Sequence, residues 1–380
     1  MKRKVFVSTP SRICLFGEHQ DYLGLEVIAS AIDLRFSAII SERTDQLIYI
    51  KIRDMSLDYL GANNSMGKYE EKIIDISQPI VYENSRDYFK SAIQVLRKEG
   101  YPLNHGYDIT MDSQIPIGKG MSSSTTMIMV FIKALMEMMD VEDKDDPEKI
   151  ALLGFKAEVE EFGEPGGMMD HYTSALGGLV HLSFHDNKAH VKKIDKKIPG
   201  SFILFDSLSG KDTIRVLSRA KTPVIEALKK LEQKGIKSIK DFIIDEQNIK
   251  HLDMLDENER IKVKASINNY RILKEGESML KGDSFNPEDF GELLKAHHAN
   301  LRDGLDISTP VIEKILETAY KNGALGGKIN GSGGGGCVYV YAYDENCDKI
   351  INAVAELGYP GRVIKQDVGI RKDREEIEVL

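Results

Sequence analysis

Two acidic residues near the middle of the chain have the spacing of a paired-carboxylate site. Glu158 lies on a predicted helix, and Asp170 follows twelve positions later, after a glycine-rich turn at residues 163–167. A helix end and a turn of this length can bring two carboxylates to one site. Mg²⁺ prefers hard oxygen ligands and keeps several waters, so magnesium-nucleotide chemistry needs one or two such carboxylates beside bound phosphates. Either residue could instead be an ordinary surface acid.

A second candidate is the segment 116–125 (PIGKGMSSST), which joins a predicted strand to an apolar helix. Its glycines allow the backbone to approach a phosphate closely, and the N-terminus of the helix directs N–H groups and a positive dipole end at an anion. The serines could equally be N-caps of the helix. The segment is not a Walker A sequence, because no Gly-Lys-Ser/Thr follows a glycine at the required spacing.

A third candidate, residues 8–22 (STPSRICLFGEHQDY), combines Arg12 with three polar residues after Gly17. Glu18, His19 and Asp21 fall within four positions, so that one turn could present several donors and acceptors to the hydroxyls of a single polar ligand. A surface turn with ordinary charges explains this segment equally well. The segment alone does not choose between the two.

The glycine run at residues 328–337 (KINGSGGGGC) satisfies the spacing of a dinucleotide-binding fingerprint. That fingerprint requires a strand before it and a helix after it, whereas this run precedes a predicted strand, so the context excludes a Rossmann site. The glycines still predict tight turns or the close approach of another backbone or a ligand.

Alternating apolar patterns predict the elements that must position these residues. The predicted strands are 5–9, 27–32, 36–41, 47–52, 107–111, 179–184, 202–205 and 337–343. The predicted helices are 87–99, 125–139, 150–162, 168–176 and 309–322, with further helical periodicity over 213–305. At roughly 150 residues per domain, 380 residues predict two domains, 1–195 and 196–380, divided near residues 192–200.

Composition narrows the class of protein. The net charge of −9 argues against a nucleic-acid partner. Three cysteines are too few for a disulfide framework and lack metal-ligand spacing, so we expect a cytoplasmic protein. The most apolar stretch, 125–139, contains Lys133 and Glu137 and falls short of the roughly 20 residues of a membrane span, which predicts a buried helix and no membrane partner.

Taken together, the segments resemble the galactokinase branch of the GHMP small-molecule kinases. Residues 8–22 are similar to the family's sugar signature, 116–124 to its phosphate loop and 323–337 to its C-terminal glycine motif, in the family's order. The resemblance implies an α+β fold of two domains with the active site in the cleft between them. It also implies ATP-dependent phosphorylation of a sugar, on the anomeric hydroxyl of galactose or a related monosaccharide.

The resemblance also implies a role for each matching residue. Asp170 would be the catalytic carboxylate beside the accepting hydroxyl, and Arg12 its positively charged neighbour. Ser124 and Glu158 would hold Mg²⁺. The ATP phosphates would be wrapped by Gly118, Lys119, Gly120, Met121, Ser122, Ser123 and Ser124. The sugar would be bound by Glu18, His19, Asp21, Gly167 and Asp170.

Several positions depart from the family pattern and keep other substrates open. Leu23-Gly24-Leu25 replaces the usual Asn-Gly-Gly, Gln20 replaces Thr, and His171 replaces the Gln that usually follows the catalytic Asp. Alternatives are another alcohol (a uronic acid, another hexose, an inositol or mevalonate), with Lys211 as a reader of a uronic carboxylate, and a sugar sensor without catalysis. Asp21 followed by a tyrosine favours a sugar, because mevalonate kinases usually lack that continuation. The sequence does not predict an oligomeric state.

Overall fold

The computed structural model describes residues 2–54, 69–115, 121–164, 166–185, 188–210 and 212–378. The strands are β1 (Lys2–Phe16), β2 (Val27–Glu42), β3 (Leu47–Asp54), β4 (Tyr69–Asp75), β5 (Tyr107–Ser113), β6 (Leu179–His185), β7 (Lys188–Lys193), β8 (Ser201–Asp206), β9 (Ala324–Ile329), β10 (Cys337–Ala342), β11 (Gly361–Ile364) and β12 (Arg371–Glu378). The helices are α1 (Tyr88–Lys98), α2 (Ser123–Met139), α3 (Pro147–Phe155), α4 (Met169–Leu176), α5 (Thr213–Leu231), α6 (Asp241–Ile244), α7 (Glu257–Lys281), α8 (Pro287–Ala299), α9 (Pro310–Lys321) and α10 (Cys347–Ala355).

Two sheets organise these elements. The larger sheet has the order β12-β1-β2-β5-β3-β4, with β6 paired to β2 and β7 to β6, and β3 runs parallel to β5. The apolar helix α2 packs on β1 and β2, so its buried side chains form the centre of the core on that side. The smaller antiparallel sheet, β11-β8-β10-β9, packs against α9 and α10 around a second core. Within the described residues, no helix combines the length and apolarity needed to cross a membrane.

Strand β2 is continuous, so the prediction of two strands over 27–32 and 36–41 is wrong. Its pairing with β1 shifts at Pro10, which lacks an N–H to donate to its neighbour. The charged residues between the two predicted strands have distant partners. Asp33 accepts from the backbone N–H of Lys365, and Arg35 donates to Asp367 at 2.7 Å. The strand therefore tolerates this polar interruption.

Strand β12 returns to the larger sheet, where Lys2 pairs with Glu378. Residues from both sides of position 195 therefore share one sheet. The division of the chain into 1–195 and 196–380 stays a prediction. Strand β1, which carries Arg12, consequently has a partner strand on each side.

The helix predicted over 150–162 is helical as far as Glu160, but its second half is not an α-helix. Helix α3 ends at Phe155, and residues Lys156–Glu160 form a π-helical turn that carries Glu158. Such turns insert an extra residue and are frequent at functional sites. Helix α2 begins at Ser123, two residues before the prediction.

Part of the glycine motif at 323–337 is the strand β9. Gly326 lies in this strand, and a Cβ added to it would be 2.1 Å from the carbonyl oxygen of Gly291 on α8. This glycine therefore allows the helix to pack directly on the strand. The remaining residues of the loop lead from β9 into β10.

Candidate active site

A cavity of about 380 Å³ lies beside the N-terminus of α2, next to strand β1 of the larger sheet. It is bounded by Arg12 of β1, the first residues of α2, the start of α4 and the glycine loop at Gly331 and Ser332. Polar groups from four separate segments of the chain therefore converge on one cleft. Cavities of this kind are the usual sites of small-molecule binding.

Asp170, in the first turn of α4, is the most constrained acid of the cavity. Its Oδ1 accepts from Arg12 Nε at 2.8 Å and lies 2.6 Å from a terminal guanidinium nitrogen, and its Oδ2 accepts from Ser122 Oγ at 2.7 Å. Burial alone would raise the pKa of Asp170, but the Arg12 charge and the Ser122 hydrogen bond outweigh it and lower the pKa. The carboxylate is ionised at neutral pH.

The N-terminus of α2 lies next to the carboxylate of Asp170. Ser122 precedes the helix with a φ of 55°, and within the described residues its hydroxyl donates to Asp170 and does not cap the helix. Ser11 donates to the carbonyl of Met121 at 2.7 Å and so fixes the start of the helix against β1. The arrangement directs the positive end of the helix dipole into the cavity, where an anion would be stabilised.

Glu158, on the π-helical turn that follows α3, is buried and lies beside the first turn of α2. Its Oε1 accepts from Ser124 Oγ at 2.5 Å, and its Oε2 accepts from Thr125 Oγ1 at 2.6 Å. Two hard oxygen donors, a serine hydroxyl and a carboxylate, thus face the cavity side by side. This donor set fits a magnesium ion whose remaining ligands are waters and phosphate oxygens.

On the opposite side of Asp170, a second carboxylate is held by backbone groups. Asp21 Oδ2 accepts from the N–H of Met169 at 3.0 Å, and Oδ1 accepts from the N–H of Tyr22 at 2.9 Å. A Cβ at Gly167 would lie 1.9 Å from Asp21 Oδ2, so only glycine leaves room for this carboxylate. Burial is the main reason that the pKa of Asp21 rises, to about 6.

His19 and Glu18 complete this polar side of the cavity. The His19 ring contacts the Tyr22 hydroxyl through Nδ1 at 2.9 Å and the Ser332 carbonyl through Nε2 at 3.1 Å. Glu18 accepts from Lys328 Nζ at 2.7 Å, and both side chains are buried. The lysine therefore holds one oxygen of Glu18 in place, while the residue still borders the cavity.

Sequence reasoning missed two residues that support the site. Lys328, which donates to Glu18, also donates to the carbonyl of Cys14 at 3.0 Å. Asn330 accepts from the Cys14 N–H at 3.0 Å and donates to the carbonyl of Arg12 at 3.3 Å. Both lie at the start of the segment 328–337, and their signal in the sequence was two polar residues beside an apolar strand pattern. They anchor the end of β1 to the smaller sheet.

The cavity brings together most of the residues singled out in the sequence. Those that border it are Arg12, Glu18, His19, Asp21, Ser122, Ser123, Ser124, Glu158, Gly167 and Asp170. Met121 does not border it, because its side chain is fully buried, with Sδ 3.2 Å from Asn330 Nδ2. Gly118, Lys119, Gly120 and Lys211 lie outside the described residues.

Comparison with known proteins assigns the chain's segments to one family. A model described as the GHMP kinases N terminal domain matches residues 87–178, and one described as GHMP kinases C terminal matches residues 280–360. The galactokinase galactose-binding signature matches residues 1–42. The three matches include the segments that carry Arg12, Asp170 and the glycine loop.

Relatives with two different activities align with nearly the whole chain. Mevalonate kinase of Thermococcus onnurineus is 28% identical over 97% of this chain and 98% of its own length. Galactokinase of Clostridium perfringens is 27% identical over 95% of this chain and 92% of its own length. The fold is similar to that of Lactococcus lactis galactokinase complexed with galactose, with a TM-score of 0.79 and 23% identity over 97% of this chain and 95% of that chain.

These matches confirm the predicted fold, a two-domain α+β GHMP kinase fold. They also agree with the order of the three motifs along the chain, sugar signature first and glycine loop last. The chain therefore belongs to the GHMP kinases, as a galactokinase-like, ATP-dependent kinase that phosphorylates an alcohol group.

Proposed function

We propose that this protein transfers the γ-phosphoryl group of ATP to the anomeric hydroxyl of galactose or a related monosaccharide. One observation carries the proposal: the Asp170 carboxylate lies between the N-terminus of α2 and the polar group formed by Asp21 and His19. A phosphate at the helix and a sugar at the polar group would meet at Asp170.

Asp170 would receive or orient the proton of the attacking hydroxyl. The Arg12 charge that lowers its pKa keeps it an acceptor at neutral pH but makes it a weak base. Phosphoryl transfer passes through a loose transition state, in which alignment and charge stabilisation contribute most. The main contribution of Asp170 is therefore to align the hydroxyl, and Arg12 stabilises the charge that builds up on the transferred group.

The nucleotide would bind along the start of α2. Ser122, Ser123 and Ser124 border the cavity, and with residues 118–121 they form the segment proposed to wrap the phosphates. Ser124 and Glu158 would hold Mg²⁺, which neutralises charge on the phosphate oxygens. Their adjacent oxygens, 2.5 Å apart, support this assignment.

The sugar would bind at Asp21, His19, Glu18 and Gly167. Two backbone N–H groups fix the carboxylate of Asp21, so a substrate hydroxyl meets an acceptor that is already oriented. The galactose-binding signature over residues 1–42 covers three of these positions and supports a sugar over mevalonate. The mevalonate kinase relative makes mevalonate the competitor to be tested.

The test is ADP release with a panel of acceptors: galactose, other hexoses, galacturonic acid, myo-inositol and mevalonate. We expect Mg²⁺-dependent turnover with galactose or a related hexose and sharply lower turnover with its deoxy analogues, because a buried acceptor would be left unpaired. Asp170→Asn serves as the blank for contaminating kinases. Faster turnover of mevalonate than of every sugar would refute the proposal. Tight sugar binding without ADP release would identify a sensor.

A further inference from the structure

His171, next to Asp170 on α4, is a buried polar residue that the proposed mechanism does not use. Its relative exposure is 2%, and within the described residues neither ring nitrogen has a hydrogen-bond partner of good geometry. Its Nε2 nevertheless lies 2.9 Å from Oε2 of Glu158. Buried polar groups are nearly always hydrogen-bonded, so this ring nitrogen needs a partner, and Glu158 is within reach.

The neighbours of the ring restrict where it can turn. The ring of Phe155 packs edge-on against it with centroids 5.5 Å apart. On another side, a Cβ at Gly154 would lie 3.2 Å from His171 Cδ2, which shows how closely α3 approaches. The imidazole is therefore held beside Glu158 by packing.

The two oxygens of Glu158 have different surroundings. Oε1 accepts from Ser124, the hydroxyl proposed to bind the metal with it. Oε2 accepts from Thr125 and is the atom nearest to His171. One oxygen thus faces the proposed metal position, and the other faces two side chains of the protein.

We propose that His171 is a positioning residue for the metal ligand Glu158, an inference that rests on the proposed function. Nε2–H of His171 and the hydroxyl of Thr125 hold Oε2, so that Oε1 keeps its orientation when Ser124 turns its oxygen to the ion. Groups that hydrogen-bond a ligating carboxylate in this way orient it, and their loss typically weakens metal affinity about 10- to 100-fold.

The experiment measures Mn²⁺ binding in the presence of a non-hydrolysable ATP analogue, by electron paramagnetic resonance. We expect His171→Leu to weaken Mn²⁺ binding about tenfold. His171→Gln, which keeps a donor of similar reach, should stay within about threefold of wild type on the same reasoning. His171→Asn is too short to reach Glu158 and should resemble the leucine variant, which provides a second test if that variant does not fold.

Thr173→Val is the matched control. Thr173 is buried on the same helix, and within the described residues its hydroxyl has no hydrogen-bond partner, so Mn²⁺ affinity should not change. Galactose affinity should be unchanged in all variants. Wild-type Mn²⁺ affinity in His171→Leu or His171→Asn, or a loss in His171→Gln as large as in those variants, would overturn the inference.

The same measurements separate this inference from the proposed function. If no sugar is turned over but Mn²⁺ binding falls as expected in His171→Leu and recovers in His171→Gln, the substrate assignment fails and the role of His171 stands. If the sugar is turned over and the variants bind Mn²⁺ as wild type does, only the role of His171 fails. If the wild-type protein binds no Mn²⁺ with the nucleotide analogue, both are wrong.

Discussion

Replacing Asp170 by Asn tests the centre of the proposed mechanism with almost no change in shape. The amide oxygen can still accept from Arg12, as Oδ1 does at 2.8 Å, and the amide nitrogen takes the place of the oxygen that accepts from Ser122 at 2.7 Å. The Ser122 hydroxyl can accept from that amide. The fold and the nucleotide site should therefore be preserved, while the negative charge is lost.

The size of the effect depends on what the carboxylate does. Assistance by a positioned acid or base is typically worth about 10² to 10⁴ in rate. Since the Arg12 pair lowers the pKa of Asp170 and weakens it as a base, alignment carries much of the effect, and we expect turnover to fall about 10³-fold. This corresponds to about 4 kcal/mol in activation free energy.

Arg12 should be coupled to this effect. In the wild-type protein, Arg12→Ala removes a charge from the transition state and also leaves a partly buried carboxylate without its partner. In the Asp170→Asn background the second penalty is absent, so the loss of turnover caused by Arg12→Ala should be about tenfold smaller.

The assay is a double-mutant cycle in turnover number, with ATP affinity measured separately by titration. Asp33→Asn is the control, because it removes the same charge from another aspartate–arginine pair, with Arg362 at 3.0 Å, away from the cavity. Near-normal turnover of Asp170→Asn would refute its catalytic role. Additive losses would refute only the coupling to Arg12.

Three further predictions concern the sugar side and the closure of the sheet. Gly167→Ala places a Cβ 1.9 Å from Asp21 Oδ2, so KM for the sugar should rise at least tenfold with thermal stability little changed, as steady-state kinetics and a melting curve will show. The raised pKa of Asp21 means that its ionisation destabilises the folded state. In urea denaturation, the stability that Asp21→Asn gains over the wild type should therefore grow between pH 3.8 and about 6 and stay constant above that range. A difference that does not change with pH would contradict this. Arg35→Met, which removes five hydrogen bonds including that to Asp367, should cost about 3 to 5 kcal/mol in free energy of unfolding, and a cost below 1 kcal/mol would refute that role.

Local sequence patterns predicted the helices and strands whose own residues show a clear apolar periodicity. The apolar helix over 125–139, the amphipathic helix over 87–99 and the strand over 47–52 agree with the structure within two residues at each end. In each of these, residue propensity and apolar periodicity agree. Strand β12 was missed because all of its described side chains are exposed and all except Ile377 are charged. No alternation of apolar and polar residues therefore marks a buried face.

The sequence motifs predicted which residues form the candidate site but not which of them contact one another. Types and spacing singled out Asp170 and Glu158, because carboxylates at that interval suit magnesium-nucleotide chemistry. The pairing of Lys328 with Glu18 joins residues 310 positions apart, and local periodicity carries no information about such a contact. Nor could it show that His171 lies against Glu158, since this depends on how a π-helical turn and α4 pack.

The pairing of Lys2 with Glu378 has a consequence for the order in which the molecule assembles during synthesis. A ribosome makes β1 first, yet β1 cannot acquire its outer neighbour until residues 371–378 have emerged. Contacts of such long sequence separation form late and slow the folding of a chain. Through most of translation, residues 2–8 of β1 would have one open edge, so the larger sheet is complete only when strands β1 and β12 meet.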